Sequence, residues 1–303
     1  MALITGVRRH AARSRAGEYA LFALFVAPNL LLLLVFVYRP LAETFRLSFY
    51  DWDLISPTKT AVGFDNYLDY FGDATNRYII RNTLFFSAGT IAGTITIALG
   101  LALLLNGRLV GRNQARTLLF APYVVSGAAI GIVWLFVFDP RFGLVSALLQ
   151  KVGLDSPNWY NDPDYAMPMV MIVFIWKNLG YATVVYLAGL QTIPRELYEA
   201  SRVDGASALG RLRHVTLPHL SPMTFFLLVT LFLNSMQVFD IIRVMTRGGP
   251  LDSTKTMVYQ IYEQAFVNFR IGDASTVACV LFVLLLGVTW LQIRFIERRV
   301  HYS

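Results

Sequence analysis

Six apolar runs, each long enough to cross a lipid bilayer, limit what this chain can fold into. They cover about 19–38, 79–105, 116–138, 166–190, 222–245 and 275–295. A spanning helix needs roughly 20 predominantly apolar residues to carry its backbone through the hydrocarbon. No water is available there, so each run must pair its own amides, as an α-helix does. The expected fold class is all-α: a polytopic membrane protein with six transmembrane helices, one unit over residues 1–303. The chain is 56% hydrophobic and only 15% charged, against about 25% charged in a soluble domain. The first run is longer than a signal-peptide core, contains Pro28 and Asn29, and lacks an A-x-A exit. It reads as a retained anchor.

Charge at the helix ends gives orientation, because basic residues are retained on the cytoplasmic side. The N-terminal segment has Arg8, Arg9, Arg13 and Arg15 against Glu18. Arg108, Arg112 and Arg116 lie between runs two and three, and Arg294, Arg298 and Arg299 follow run six. The segment after run one instead carries Glu43, Asp51, Asp53, Asp65, Asp69 and Asp73, and the one after run three Asp139, Asp155, Asp162 and Asp164. Both termini are therefore expected in the cytoplasm. The net charge of +7 is explained by these flanks, without a nucleic-acid partner. Cys279 is the sole cysteine, which excludes a disulfide framework and a cysteine-based metal site.

This topology puts residues 191–221 in the cytoplasm between spans 4 and 5. A short helix is expected over 195–204, a turn at Gly205, which tolerates backbone angles that a side chain hinders, and a second helix over about 206–214. Pro218 and Pro222 are expected to end that run. Glu199-Ala200-Ser201, Asp204-Gly205-Ala206 and Leu217-Pro218, preceded by Ile193-Pro194, closely resemble the E-A-A-x-x-D-G-A…L-P loop of ABC-importer permeases. Ser201 stands where that family usually has Ala. In the family the loop, here about 195–218, grips the ATPase. The resemblance thus implies a coupling role for Glu199, Ala200, Ser201, Asp204, Gly205, Ala206, Leu217 and Pro218.

The likeness extends over nearly the whole chain. Arg46–Trp52, Phe64-Asp-Asn-Tyr67, the spacing of Pro122, Trp134, Pro140 and Gly143, Thr246-Arg-Gly-Gly-Pro250 and Arg270–Ser275 resemble stretches of the carbohydrate-type branch, which includes glycerol-phosphate and diester permeases. Membership implies an inner-membrane subunit that forms a heterodimer with a second permease. It implies docking on two ATPase subunits that hold ATP and Mg, and receipt of solute from an extracytoplasmic solute-binding protein. No cofactor is expected on this chain itself.

Polar residues deep in a membrane helix face a partner, a cavity or a solute path. Lys177, Asn178 and Tyr181 share one face of span 4, and Asn234, Gln237 and Asp240 recur at i+3 in span 5. Counting back from the shared loop and from Gly-Gly-Pro, the pocket positions of related oligosaccharide permeases fall on Lys177, Asn178, Tyr181, Leu231, Asn234, Ser235 and Val238. Asp240 joins them as a buried acid. Tyr181 or Trp176 could stack on a sugar face. Lys177 could meet a phosphate or carboxylate, or pair with Asp240. Gly89-x-x-x-Gly93 and Gly127-x-x-x-Gly131 read as helix-packing contacts.

Three functions compete: a transport subunit driven by a separate ATPase, an intramembrane enzyme, and an ion-coupled carrier or channel. The chain has no G-x-x-x-x-G-K-[ST] loop for ATP. His10, His214, His219 and His301 lie outside the apolar runs, and no catalytic signature is present. Ion coupling has only Lys177 and Asp240 to work with. The favoured reading is an ABC-importer permease for a sugar or sugar-like solute, with glycerol 3-phosphate or a glycerophosphodiester as the alternative cargo.

Overall fold

The computed structural model describes residues 3–107 and 111–296, with side chains from Gly17 to Arg294 outside the same gap. The side chains of Arg8, Arg9, His10, Arg13 and Arg15, and the whole of Arg108, Arg298, Arg299 and His301, lie outside the described residues. The described chain is helical apart from short connections and one two-residue hairpin, in which Tyr50 pairs with Ala61 and Asp51 with Thr60.

Five helical segments are long and apolar enough to cross a membrane: Gly17–Leu47, Ala74–Leu105, Pro163–Thr192, Ser221–Met245 and Ile271–Arg294. They correspond to the expected spans 1, 2, 4, 5 and 6. Span 3 departs from the single helix expected over 116–138. It is a pair, Arg112–Val124 and Gly127–Val137, bent by 106°. Pro122 lies in the last turn of the first half, and Ser126 caps the second by accepting from the Ala129 amide at 3.2 Å. Hydropathy over the pair is continuous, so periodicity alone cannot reveal the corner. Span 5 is also interrupted, between Ser221–Met236 and Asp240–Met245.

Two wide π turns accompany prolines. Leu34–Tyr38 precedes Arg39-Pro40, and Leu212–Thr216 precedes Leu217-Pro218. The amides of Arg39 and Leu217 reach back five residues, to the Leu34 and Leu212 carbonyls. A proline ring collides with the carbonyl four residues before it in an α-helix. The wider turn relieves that collision and keeps the chain helical. Pro218 therefore does not end the second loop helix as expected. The helical path runs from Ala208 through the π turn to His219.

Spans 4 and 5 are the most buried, spans 2 and 6 less so, and the apolar window of span 1 has no buried residue. Lipid tails are as apolar as leucine, so helices associate through close packing instead of water exclusion. Glycines provide it. Gly89 and Gly93 of span 2 receive Met171 and Ile175 of span 4, and Gly131 packs on Val244. Gly180 lies directly on the Leu119 carbonyl. These contacts join span 2 to span 4, and span 3 to both span 4 and span 5.

The stretches after span 1 and before span 6 meet in a cap. Ser48 Oγ and Tyr67 Oη lie 2.6 Å apart, and Asn66 donates to the Ser48 and Tyr50 carbonyls. The Ile271 and Gly272 amides donate to the Trp52 carbonyl, and Thr276 donates to Ser48 O. Sequence segments far apart in the chain thus close one end of the molecule together.

Candidate functional site: a cavity at two broken helices

A cavity of about 410 Å³ lies where spans 3, 4 and 5 meet, against both helix interruptions. Lys177, Asn178, Asn234, Val238 and Asp240 all line it, five of the eight residues expected along a solute path. Span 4 brings Lys177 and Asn178 to one face. The interruption after Met236 turns Gln237, Val238, Phe239 and Asp240 toward the same space.

The other three are placed differently. Tyr181 stacks on Tyr123, a lining residue, at 4.7 Å with a 10° interplanar angle. Leu231 and Ser235 are completely buried, and Ser235 Oγ donates to the Phe232 carbonyl at 3.0 Å. Leu231 and Ser235 stand at i and i+4, so they share one face of the helix, and that face is turned into the core. Trp176 packs edge-on against Trp134 at 5.3 Å instead of facing the cavity.

Tyr123, Gly127, Phe174, Gln237, Phe239 and Ile241 complete the lining. Tyr123 and Gly127, the two from span 3, were not legible as site residues. Pro122 followed closely by Ser126-Gly127 inside an apolar run is the signal that could have located the corner.

The ammonium of Lys177 donates to Tyr123 O at 3.0 Å and Val125 O at 2.8 Å. It also sits 5.6 Å from the Tyr123 ring centre. No ion pair joins it to Asp240 among the described residues. Asp240 instead rests on Gly127, where an added Cβ would meet its Oδ2 at 3.2 Å. Asn178 Nδ2 donates to Phe174 O at 2.9 Å, while Asn234 and Gln237 are exposed toward the cavity side. The arrangement offers amides for hydroxyl recognition beside an aromatic wall.

The loop between spans 4 and 5 folds as a compact knob. Its first helix is Arg195–Val203, and Gly205 takes φ +74° in the turn that follows, a conformation open to glycine at no steric cost. Ser207 caps the second helix by accepting from the Gly210 amide at 3.1 Å. Arg211 Nη1 closes the turn on Ala206 O at 2.7 Å. Tyr198 Oη and Thr216 Oγ1 lie 3.0 Å apart and tie the two helices together. Ser201 Oγ donates to the Tyr198 carbonyl at 2.8 Å. Glu199, Ala200, Asp204, Gly205 and Leu217 are exposed, and Ala206 and Pro218 are partly covered. Val203 is 88% exposed and Leu209 73%, so two apolar side chains flank the turn without cover.

A second cavity, of about 420 Å³, lies beneath the cap and has Asp51, Asp65, Asp69, Asp73, Asp273 and Arg270 in its wall. Among the described residues no group of His, Cys, Asp and Glu is placed to hold a metal ion.

Residues 89–302 match the model of the family described as binding-protein-dependent transport system inner membrane component. The chain is 34% identical over 281 residues to the sn-glycerol-3-phosphate transport system permease protein UgpA of Yersinia pestis bv. Antiqua (strain Antiqua). That match covers 92% of this chain and 95% of the relative. The protein of the same description from Rhizobium meliloti (strain 1021) is also 34% identical over 281 residues, covering 92% and 96%. In structure the chain is similar to a bacterial ABC transporter involved in import of the acidic polysaccharide alginate. The TM-score is 0.80 at 24% identity, over 94% of this chain and 98% of that one. A bacterial alginate ABC transporter in complex with an alginate pentasaccharide-bound periplasmic protein gives 0.81 at 23% identity, over 96% and 98%. A shared sequence family over most of the chain, on a shared fold, makes this protein a multi-pass permease subunit of the binding-protein-dependent ABC importers of the inner membrane, a transport component and not an enzyme.

Proposed function

We propose that this subunit carries a sugar or sugar-like, polyhydroxylated solute inward through the cavity between spans 3, 4 and 5, by alternating access. The observation that carries the reading is the convergence of Asn178, Asn234 and Gln237 with aromatic walls at two helix interruptions. Amides both donate and accept, as hydroxyl-rich solutes require. The lining sets Lys177, Asn178, Asn234, Gln237 and Asp240 among aromatic and aliphatic side chains, a mixture that suits a solute with both hydroxyls and an apolar ring face. A second permease pairs with this one, and an extracytoplasmic binding protein delivers the solute. Two ATPase subunits, which hold ATP and Mg, dock on the knob. Both termini face the cytoplasm. Glu199, Ala200, Ser201, Asp204, Gly205, Ala206, Leu217 and Pro218 form the coupling element, and exposed Val203 and Leu209 seat it in a groove of the ATPase.

A second cargo, sn-glycerol 3-phosphate or a glycerophosphodiester, is favoured by the relatives bearing that description. Two substitutions test the proposal. Asn234→Ala lowers solute uptake by about tenfold, the worth of one good hydrogen bond, with membrane insertion and ATPase association unchanged. Unaltered uptake would remove the cavity from the path. Glu199→Lys leaves the chain inserted but weakens co-purification of the ATPase. Normal co-purification with normal uptake would remove the coupling role.

A further inference from the structure

The corner in span 3 leaves two helix ends inside the membrane region, and each meets a charge of the appropriate sign. The first half, Arg112–Val124, ends with carbonyls that have no partner in the helix. The Lys177 ammonium, from span 4, bonds two carbonyls there, Tyr123 O and Val125 O, at 3.0 and 2.8 Å. The second half, Gly127–Val137, starts with amides that have no partner within the helix, of which Ser126 caps that of Ala129, and with the positive end of its dipole. The Asp240 carboxylate, from span 5, lies against its first residue, Gly127. A side chain at 127 would press on Asp240, since an added Cβ comes to 3.0 Å from its Cβ and 3.2 Å from its Oδ2.

We propose that Lys177 and Asp240 are positioning residues: a charged clamp that holds the broken span 3 to spans 4 and 5, each charge compensating one helix end. Backbone interrupted at membrane depth persists only where protein groups compensate it; Lys177 bonds two carbonyls of the first half directly, and Asp240 sets a negative charge against the start of the second. Three spans are joined at one point through side chains that also line the cavity. The cavity wall therefore keeps its shape when the coupling loop moves spans 4 and 5. Lys177 has two of its three donors committed to backbone, which leaves one for any solute in the cavity. The clamp itself follows from the geometry whichever solute is carried.

Polarity separates this from a plain Lys–Asp ion pair. A pair survives exchange of its two members, whereas helix ends have fixed sign. In the exchange variant Lys177→Asp/Asp240→Lys, an anion faces carbonyls and a cation faces amides. The test is assembly and thermal melting of the full complex purified through its ATPase subunit. The clamp predicts that Lys177→Met and Asp240→Asn each lower the melting temperature by about 2–4 °C, or reduce recovered complex severalfold. Lys177→Arg, which retains paired donors, restores both to within about 1 °C of wild type, and the exchange variant is worse than either single change. Recovery in the exchange variant overturns the clamp in favour of an ion pair. Wild-type melting and recovery in Lys177→Met overturn it in favour of a group free to contact cargo. Variants that fail to assemble still decide the matter, because an ion pair requires the exchange to assemble. Loss of sugar uptake with wild-type assembly bears on the cargo reading instead.

Discussion

At the scale of single residues, glycine placement does much of the fold's work. Gly180 lies so near the Leu119 carbonyl that any Cβ would overlap backbone. Backbone cannot rotate away as a side chain can, so Gly180→Ala forces the first half of span 3 off span 4. The expected cost is about 1–3 kcal/mol, read as a lower melting temperature of the purified complex. Gly100 is the matched control. Nothing lies within 4 Å of an added Cβ there, so Gly100→Ala is neutral or stabilises by up to about 1 kcal/mol through helix propensity. Equal effects at the two positions would contradict this packing account. The sequence announced the helix-packing role of Gly89 and Gly93 through their spacing. It did not announce Gly180, whose partner is a carbonyl brought close by a bend elsewhere.

At the scale of elements, the continuous apolar helices were legible and the interruptions were not. Hydropathy registers that a segment is apolar, and both halves of span 3 are. What distinguishes the corner is local: Pro122, then Ser126 as a cap. The same limit bears on Leu231 and Ser235, assigned to the path by counting back from Gly-Gly-Pro through the interruption at 237–239 and found buried within the helix that ends at Met236. Lys177, Asn178, Asn234 and Asp240 were legible because polar groups in apolar spans need a reason.

The knob between spans 4 and 5 is an element whose rigidity can be measured. Its two helices are tied through Tyr198 Oη and Thr216 Oγ1. Thr216 is 3% exposed, so the bond is shielded from water. Tyr198→Phe and Thr216→Val each remove it, at about 1 kcal/mol. The double variant should cost clearly less than the sum, leaving a coupling energy of about 0.5–1.5 kcal/mol. If the knob transmits motion as one body, each single change also lowers solute moved per ATP hydrolysed. Strict additivity of the two changes would show that the bond is not made in the complex.

At the scale of the whole molecule, the knob and the cavity belong to the same two spans. Span 4 enters the knob directly and carries Lys177 and Asn178; span 5 leaves it and carries Asn234 and Asp240. Tyr186 of span 4 and Thr224 of span 5 are in hydrogen-bond contact at 3.1 Å, one helical turn into span 5, and under the proposed coupling role a push on the knob would move both cavity walls together. Rigid-body motion of packed helices is an established way to convert a local displacement into a switch. The central claim is that this motion is driven by ATP hydrolysed on partner subunits and not by an ion gradient. The most direct measurement is solute uptake into vesicles reconstituted with the full importer and its binding protein, with ATP inside or outside as orientation requires and an uncoupler present. The account predicts uptake that needs both ATP and the binding protein and persists when the proton gradient is collapsed. Uptake by this chain alone, or uptake that stops with the gradient while ATP remains, would contradict it.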